Sequence, residues 1–259
     1  MPAGGHPDWL RPEWDAPGVG ALMTTRAGGI SEGAFESMNL RDGLGDSPAA
    51  VVHNQAVFAA AIGARPVWLN QVHGAAVVRL RPELFGQLPT ADASICTEPG
   101  LACTVQVADC LPVLFAAPGA TFPRGVGAAH AGWRGLAGGV LEATIAALCD
   151  AAACAPGELQ AWLGPCIGPR QFEVGAEVLQ AFGADPQRGD QAFFTARAAP
   201  GKWLADLAGL ARERLRRAGV SRLAGGGWCT VEQASRFFSY RRDRVTGRMV
   251  AAVWLERRG

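Results

Sequence analysis

The chain has 259 residues, 49% apolar and 18% charged, so it can bury a substantial core and is not a disordered segment. Its 24 basic and 23 acidic residues leave a formal net charge of +1, which provides no overall basic field for nucleic acid or an anionic membrane. No uncharged apolar run is long enough to span a bilayer.

Residues 1–11 lack the basic segment followed by an apolar one that marks a secretory leader. Seven cysteines (96, 103, 110, 149, 154, 166, 229) form an odd set in a long chain. That pattern fits reduced thiols in a cytoplasmic protein better than a disulfide framework. Nearly all the basic residues are arginine, with Lys202 the only lysine, a bias that composition alone can produce.

No repeat or low-complexity linker divides the chain, so one domain over 1–259 is expected, with residues 1–18 as an irregular lead-in rich in Pro, Gly and Trp. Val19 to Thr25 reads as a first strand, followed by a turn at Ala27-Gly28-Gly29-Ile30-Ser31. Apolar spacing after Asp46-Ser47 predicts a helix over Pro48 to Ile62. Strands are expected over Val67 to Val72, Ala75 to Leu80, Ala93 to Thr97, Leu101 to Val107, Pro112 to Phe115 and Val126 to Ala129. Gly139 to Ala153 is the clearest helix. Leu159 to Leu163 is strand-like and runs into a sharp turn at Gly164 to Pro169. Helices are expected over Gly175 to Gly183 and Leu204 to Ala218, and strands over Trp228 to Thr230 and Met249 to Leu255. Strands and helices mix without strict alternation, which favours an α+β fold with mixed β-sheets.

Three segments carry imidazole and thiol groups where predicted strands meet loops: His73 in NQVHG, Cys110 in ADCLP and His130 in HAGWRG. Two imidazoles and one thiolate make a three-ligand set that suits a catalytic zinc and leaves a fourth position open. The separations, 37 and 20 residues, are too long for a zinc finger, so the fold itself must bring the three together. Taken singly, each residue is as readily a core or loop residue with its hydrogen bonds met. The neighbours Gly74, Asp109, Gly132 and Gly135 strengthen the joint reading, since they permit close backbone approach or offer an acceptor. Asp109 is a candidate for proton transfer or for orienting a ligand, and equally a turn residue. Arg26 and Arg134, in glycine-containing loops, are candidate anion binders. Cys166 has no histidine near it in sequence to activate it as a nucleophile. Phe237 to Arg242 could supply an aromatic wall for a base.

Together these segments resemble the YfiH family. So do GPCIGP at 164–169, FSYRR at 238–242, TTRAGGIS at 24–31, and Asn39-Leu40 with Gly45-Asp46. The match runs in order from about Val19 to Leu255, and HAGWRG with QVHG upstream is a specific pair. The resemblance implies a fold like the catalytic domain of cytotoxic necrotizing factor, with mixed β-sheets sandwiched between helices. It implies a metal held by His73, Cys110 and His130, with zinc as the expected ion and copper possible. It also implies a purine nucleoside phosphorylase acting on adenosine, inosine and methylthioadenosine, with accompanying adenosine deaminase activity. Older descriptions of the family name a polyphenol oxidase of the laccase type, and some members are described as peptidoglycan editing factors. Asn39, Gln71, Arg26 and Arg134 are the expected substrate and phosphate contacts; Cys110, His73, His130 and Asp109 are the expected catalytic group. One departure stands out: many members have Asn-Arg where this chain has Asn54-Gln55, which bears on phosphate binding if that arginine serves it.

Ligand arithmetic decides against a multicopper oxidase. Such an enzyme needs a blue-copper site and a three-copper cluster, and four histidines, one of them His6, cannot supply both. Adventitious copper could still occupy the His2Cys set, since copper outcompetes zinc at N/S sites. The H-x-E and P-C-x-x-C deaminase signature is missing too: Pro165-Cys166-Ile167-Gly168 stops short. Three functions remain. The first is a zinc-dependent enzyme taking purine nucleoside and phosphate. The second is a hydrolase editing misloaded cell-wall precursors, and the third a non-catalytic metal-binding protein.

Overall fold

The computed structural model describes residues 5–119 and 121–257. Its first half contains β1 (Val19–Met23), α1 (Pro48–Ile62), β2 (Arg65–Val67), β3 (Val77–Arg79), β4 (Ala93–Cys96), β5 (Leu101–Val107), β6 (Leu111–Ala117) and β7 (Gly125–Ala131). The second half contains α2 (Trp133–Ala137), α3 (Val140–Ala152), β8 (Gln160–Leu163), β9 (Glu173–Val174), α4 (Ala176–Ala181), β10 (Phe194–Ala196), β11 (Trp203–Ala205), α5 (Leu207–Arg217), β12 (Arg222–Gly225), α6 (Tyr240–Asp243) and β13 (Met249–Leu255).

Two mixed sheets form the body of the molecule. One has the order β1-β13-β5-β2, with only β2 parallel to its neighbour. The other has the order β12-β8-β6-β7-β4-β3, parallel at both edges and antiparallel between. The central strands β5, β6, β7 and β13 are buried along their whole length. That explains why they read as continuous apolar runs rather than alternating ones. On β13, Met249, Ala251 and Val253 face the seam between the sheets, where Val105, Leu114 and Ala128 also pack. The intervening Val250, Ala252 and Trp254 face α1. The far side of the six-stranded sheet is covered by α3 and α5. The α+β expectation of mixed sheets between helices therefore holds.

Helix α1 has the predicted bounds. Pro48 sits in its first turn, and Gly63 closes it in the left-handed region at φ 63°. Its buried face is Ala50, Val51, Asn54, Phe58 and Ile62, at helical spacing. Helix α3 lays Leu141, Ile145 and Leu148 onto the six-stranded sheet. Each such side chain contributes roughly 1.5–3 kcal/mol by leaving water.

Four expectations need correction. The strand expected over Val67 to Val72 is β2, which ends at Val67; beyond it only Asn70 forms an isolated bridge, to Thr90. The strand expected over Val126 to Ala129 extends from Gly125 to Ala131, so His130 lies within it. The helix expected over Leu204 to Ala218 begins at Leu207, where the Asp206 carboxylate accepts a hydrogen bond from the Gly209 amide and caps it; the residues before belong to β11. The strand expected over Trp228 to Thr230 lies upstream as β12, because Gly225 and Gly226, both at φ 75°, turn the chain away. In the lead-in, Trp9 is buried against Phe58, and Leu10 bridges to Met23.

Candidate active site

The three sequence-distant segments converge at one end of the seam between the sheets. His130 lies near the end of β7 on the same side as Ala128, which faces that seam. Cys110 sits in the turn joining β5 to β6. His73 sits in the loop between β2 and β3. One donor atom from each residue lies within 4.8 Å of the other two. Cys110 Sγ is 3.8 Å from His73 Nε2, and the two imidazoles meet edge to face at 4.8 Å between ring centres. Ligands at zinc distances of about 2.0 Å for nitrogen and about 2.3 Å for sulfur, arranged tetrahedrally, stand roughly 3.5 Å apart. The arrangement therefore fits a small tetrahedral cation, with His73 exposed, Cys110 half-buried and His130 buried.

Asp92, which sequence reasoning passed over, organises two of the three donors. It immediately precedes β4 and is fully buried. One carboxylate oxygen accepts from His130 Nδ1 at 2.8 Å and from the His73 amide at 2.9 Å. The other accepts from the Val72 amide at 3.1 Å and the Gly74 amide at 2.7 Å. The bond to Asp92 keeps a proton on Nδ1, so Nε2 is the nitrogen that a cation would take. The three amide bonds hold His73 in the left-handed region at φ 61°, an uncommon conformation for a side chain of this kind. Burial opposes ionisation of Asp92, but the bonds from His130, Gly74 and Val72 prevail and hold its carboxyl below the ordinary value. The only cue in sequence is an Asp before an apolar strand, which looks like a turn residue.

Glycines at the site are steric requirements. A Cβ on Gly132 would stand 2.9 Å from both Cys110 Sγ and His73 Cδ2. A Cβ on Gly135, in α2, would stand 2.8 Å from the Gly74 carbonyl oxygen. HAGWRG is thus a strand end followed by a helix whose bare face lets the His73 loop close over it.

Without a metal, Cys110 and His130 form a thiolate–imidazolium pair, whose Nε2 proton a soft cation would displace. Burial pushes the Cys110 thiol up, but His130 and then His73 outweigh it and bring it down to about 6. Burial pushes His130 down, but Cys110 and Asp92 outweigh it and bring it up to about 9. Cys166 differs: it is buried, and burial drives its thiol well above the ordinary value, so it is an inert packing residue.

A cavity of about 420 Å³ opens beside the three donors. Gln71, Gln106, Tyr240, Arg41 and Arg248 share its lining with them. Gln71 lines it, and its amide is cross-linked to the Gln106 backbone in both directions, at 2.9 and 2.8 Å. Tyr240 presents a half-exposed ring, in the segment where an aromatic wall was expected.

The other expected contacts lie outside the lining. Arg26 donates to the Glu36 and Ala234 carbonyls and stacks on Phe238. Arg134 is exposed on α2 and stacks on Trp133. Asn39 is buried, and its Oδ1 accepts from the backbone amides of Arg41 and Arg248. Asp109 precedes Cys110 at φ 93°, with its oxygens taken by the Thr230 hydroxyl at 2.5 Å and the Arg241 amide at 2.6 Å. Gln55 donates to the Leu40 carbonyl, behind the cavity wall.

Residues 20–256 match the family model described as multi-copper polyphenol oxidoreductase laccase. A Pseudomonas aeruginosa protein named purine nucleoside phosphorylase PA4543 is 48% identical over 249 residues, covering 96% of this chain and 98% of its own length. The Escherichia coli purine nucleoside phosphorylase YfiH is 47% identical over 247 residues, covering 94% and 97%. Among solved structures, Neisseria meningitidis NMB0706 superposes with a TM-score of 0.87 at 44% identity, covering 96% of this chain and all of that one. YlmD from Geobacillus stearothermophilus gives 0.88 at 32% identity, covering 99% and 98%. Matched by the family model over nearly its whole length and by YfiH at close to half identity, the chain belongs to the YfiH family.

Proposed function

We propose that this protein is a zinc-dependent purine nucleoside phosphorylase of the cytoplasm, a single-domain enzyme acting on adenosine, inosine and methylthioadenosine with accompanying adenosine deaminase activity. The observation that carries this reading is the convergence of His73, Cys110 and His130 on one cavity wall, three donors rather than four. The relatives named purine nucleoside phosphorylase over nearly their full length support the substrate class. A zinc ion held by His73, Cys110 and His130 would supply a Lewis acid with a coordination position left for substrate or water.

The chain's own residues perform the remaining tasks. The cavity is in the size range that takes a small ligand, and Tyr240 offers its ring to a purine face. Asp92 holds two of the donors at fixed positions, so little rearrangement is needed on binding. Asp109 is proposed to fix the Cys110 turn, since both its oxygens are engaged there. In phosphorolysis, an oxygen of hydrogen phosphate forms a bond to the anomeric carbon of the nucleoside. The C1′–N9 bond breaks, its electron pair leaves on the purine, and the purine takes the proton that phosphate gives up. In deamination, water adds at C6 of adenine and ammonia leaves.

The laccase description of the family model does not extend to multicopper chemistry in this chain. Among the described residues, His73, Cys110 and His130 are the one group of three or more potential ligands, and a multicopper oxidase needs several such groups. The test of the proposal is to incubate metal-quantified protein with adenosine and with inosine, with and without phosphate, and to separate the products. Phosphate-dependent release of adenine and hypoxanthine, lost in Cys110→Ala, is expected. Full activity in a metal-free Cys110→Ala protein would overturn the reading.

A further inference from the structure

Two arginines that sequence reasoning did not single out, Arg41 and Arg248, line the cavity that holds the metal-ligand set. They lie more than 200 residues apart in sequence, and one side chain brings them together. Asn39 Oδ1 accepts from the Arg41 amide at 3.1 Å and from the Arg248 amide at 2.9 Å. Its Nδ2 donates to the Arg41 carbonyl at 3.0 Å and to Asp46 at 2.8 Å. The Leu40 amide closes the junction onto the Arg248 carbonyl at 3.2 Å. The buried amide of Asn39 thus sets the register of both segments, and Gln55 and Gln106 both donate to the Leu40 carbonyl from behind.

Arg124, Arg170, Arg214 and Arg242 each pair with a carboxylate. Arg41 and Arg248 take part in no ion pair among the described residues, and no Asp or Glu lines their cavity. Arg248 spends one nitrogen on the Thr246 and Gly247 carbonyls, which aims the head and leaves its other N–H groups available. The Arg41 guanidinium has no hydrogen bond within the chain among the described residues. Burial, and then the nearby Arg41, pulls Arg248 below its ordinary value, against the opposing pull of Cys110, Asp109 and Tyr240. Two half-buried guanidiniums on one cavity wall, neither paired with a carboxylate, favour an anion between them, and guanidinium forks match the oxygens of phosphate.

We infer that Arg41 and Arg248, stapled together by Asn39, form the seat for the free phosphate co-substrate beside the His73–Cys110–His130 set. This rests on the phosphorylase reading for its purpose, and the geometry makes it separable from that reading. It also accounts for Gln55: the anion is held by Arg41 and Arg248, and the α1 position behind them does not need to be arginine.

The experiment measures inorganic phosphate in two ways on zinc-loaded wild type, Arg41→Gln, Arg248→Gln and Arg248→Lys. One readout is the phosphate-dependent rise in thermal midpoint, which needs no turnover; the other is the KM for phosphate against that for inosine. Both glutamine variants are expected to raise the phosphate KM at least tenfold and to lose the thermal response, with zinc content and inosine KM within twofold of wild type. Arg248→Lys is expected to restore part of the response. Inosine 5′-monophosphate in place of phosphate is expected to give a smaller shift; a larger one would overturn free phosphate as the occupant. An active wild type with unchanged phosphate KM in both glutamine variants would overturn the seat. A thermal response to phosphate that both glutamine variants abolish, in a wild type that releases no purine, would uphold the seat and remove the phosphorylase reading.

Discussion

Replacing Asp92 by Asn removes one of two carboxylate oxygens that between them accept four hydrogen bonds. Whichever way the amide turns, its NH2 faces two donors where an acceptor stood. Two bonds to a charged acceptor are lost, each worth about 1.5–3 kcal/mol, so the metal-free variant should be roughly 3–6 kcal/mol less stable if neither donor finds a substitute. The metal site should suffer as well. In one orientation His130 and the His73 amide lose their acceptor; in the other the Val72 and Gly74 amides that hold the left-handed turn lose theirs. Outer partners of this kind typically cost about 10–100-fold in metal affinity when removed. Zinc affinity would be measured by chelator competition, and stability by urea denaturation of the metal-free proteins. The pH dependence has a definite sign. Asp92's folded value lies below its unfolded one, so its contribution is fully present above about pH 4 and fades as pH falls through the folded value. The stability gap between wild type and variant should narrow below about pH 4, and should also narrow as pH rises from about 6.5 through about 9, where the His130 charge that Asp92 helps to hold is lost. A zinc affinity within twofold of wild type, together with unchanged stability, would refute the role given to Asp92.

Gly132→Ala places a methyl 2.9 Å from both Cys110 Sγ and His73 Cδ2, so zinc stoichiometry should fall well below one while circular dichroism shows a folded protein. In metal-stripped protein, alkylation of Cys110 by iodoacetamide should reach half its maximal rate near pH 6, and zinc should block it; a midpoint at the ordinary thiol value of about 8.5 would contradict the ion-paired arrangement. Arg26→Ala removes a guanidinium that joins the Glu36 and Ala234 carbonyls, so it should cost about 1–3 kcal/mol in urea denaturation while the phosphate KM stays unchanged.

The convergence of His73, Cys110 and His130 was legible in sequence because each stands near a strand end beside glycines or turn residues. The α1 boundaries were legible because Pro48 and Gly63 mark them chemically. The anion contacts were harder to read. Arg26 and Arg134 stand near glycines in sequence, yet Arg26 is spent on backbone carbonyls and Arg134 lies exposed on α2, stacked on Trp133. Arg41 and Arg248 carry no local signal, because their adjacency is created by Asn39 across the chain. Asp92 was hidden for a related reason: its partners lie about 20 and 38 residues away in sequence. The small sheet of β9, β10 and β11 was missed because strands of two or three residues have too short a period to detect.

The fate of the sugar separates phosphorolysis from hydrolysis. Metal-quantified wild type should be given inosine and phosphate, with hypoxanthine and both possible sugar products measured together. One ribose 1-phosphate per hypoxanthine, with none formed when phosphate is withheld, is the predicted result. Free ribose released equally with and without phosphate, or no hypoxanthine from a fully zinc-loaded sample, would contradict it.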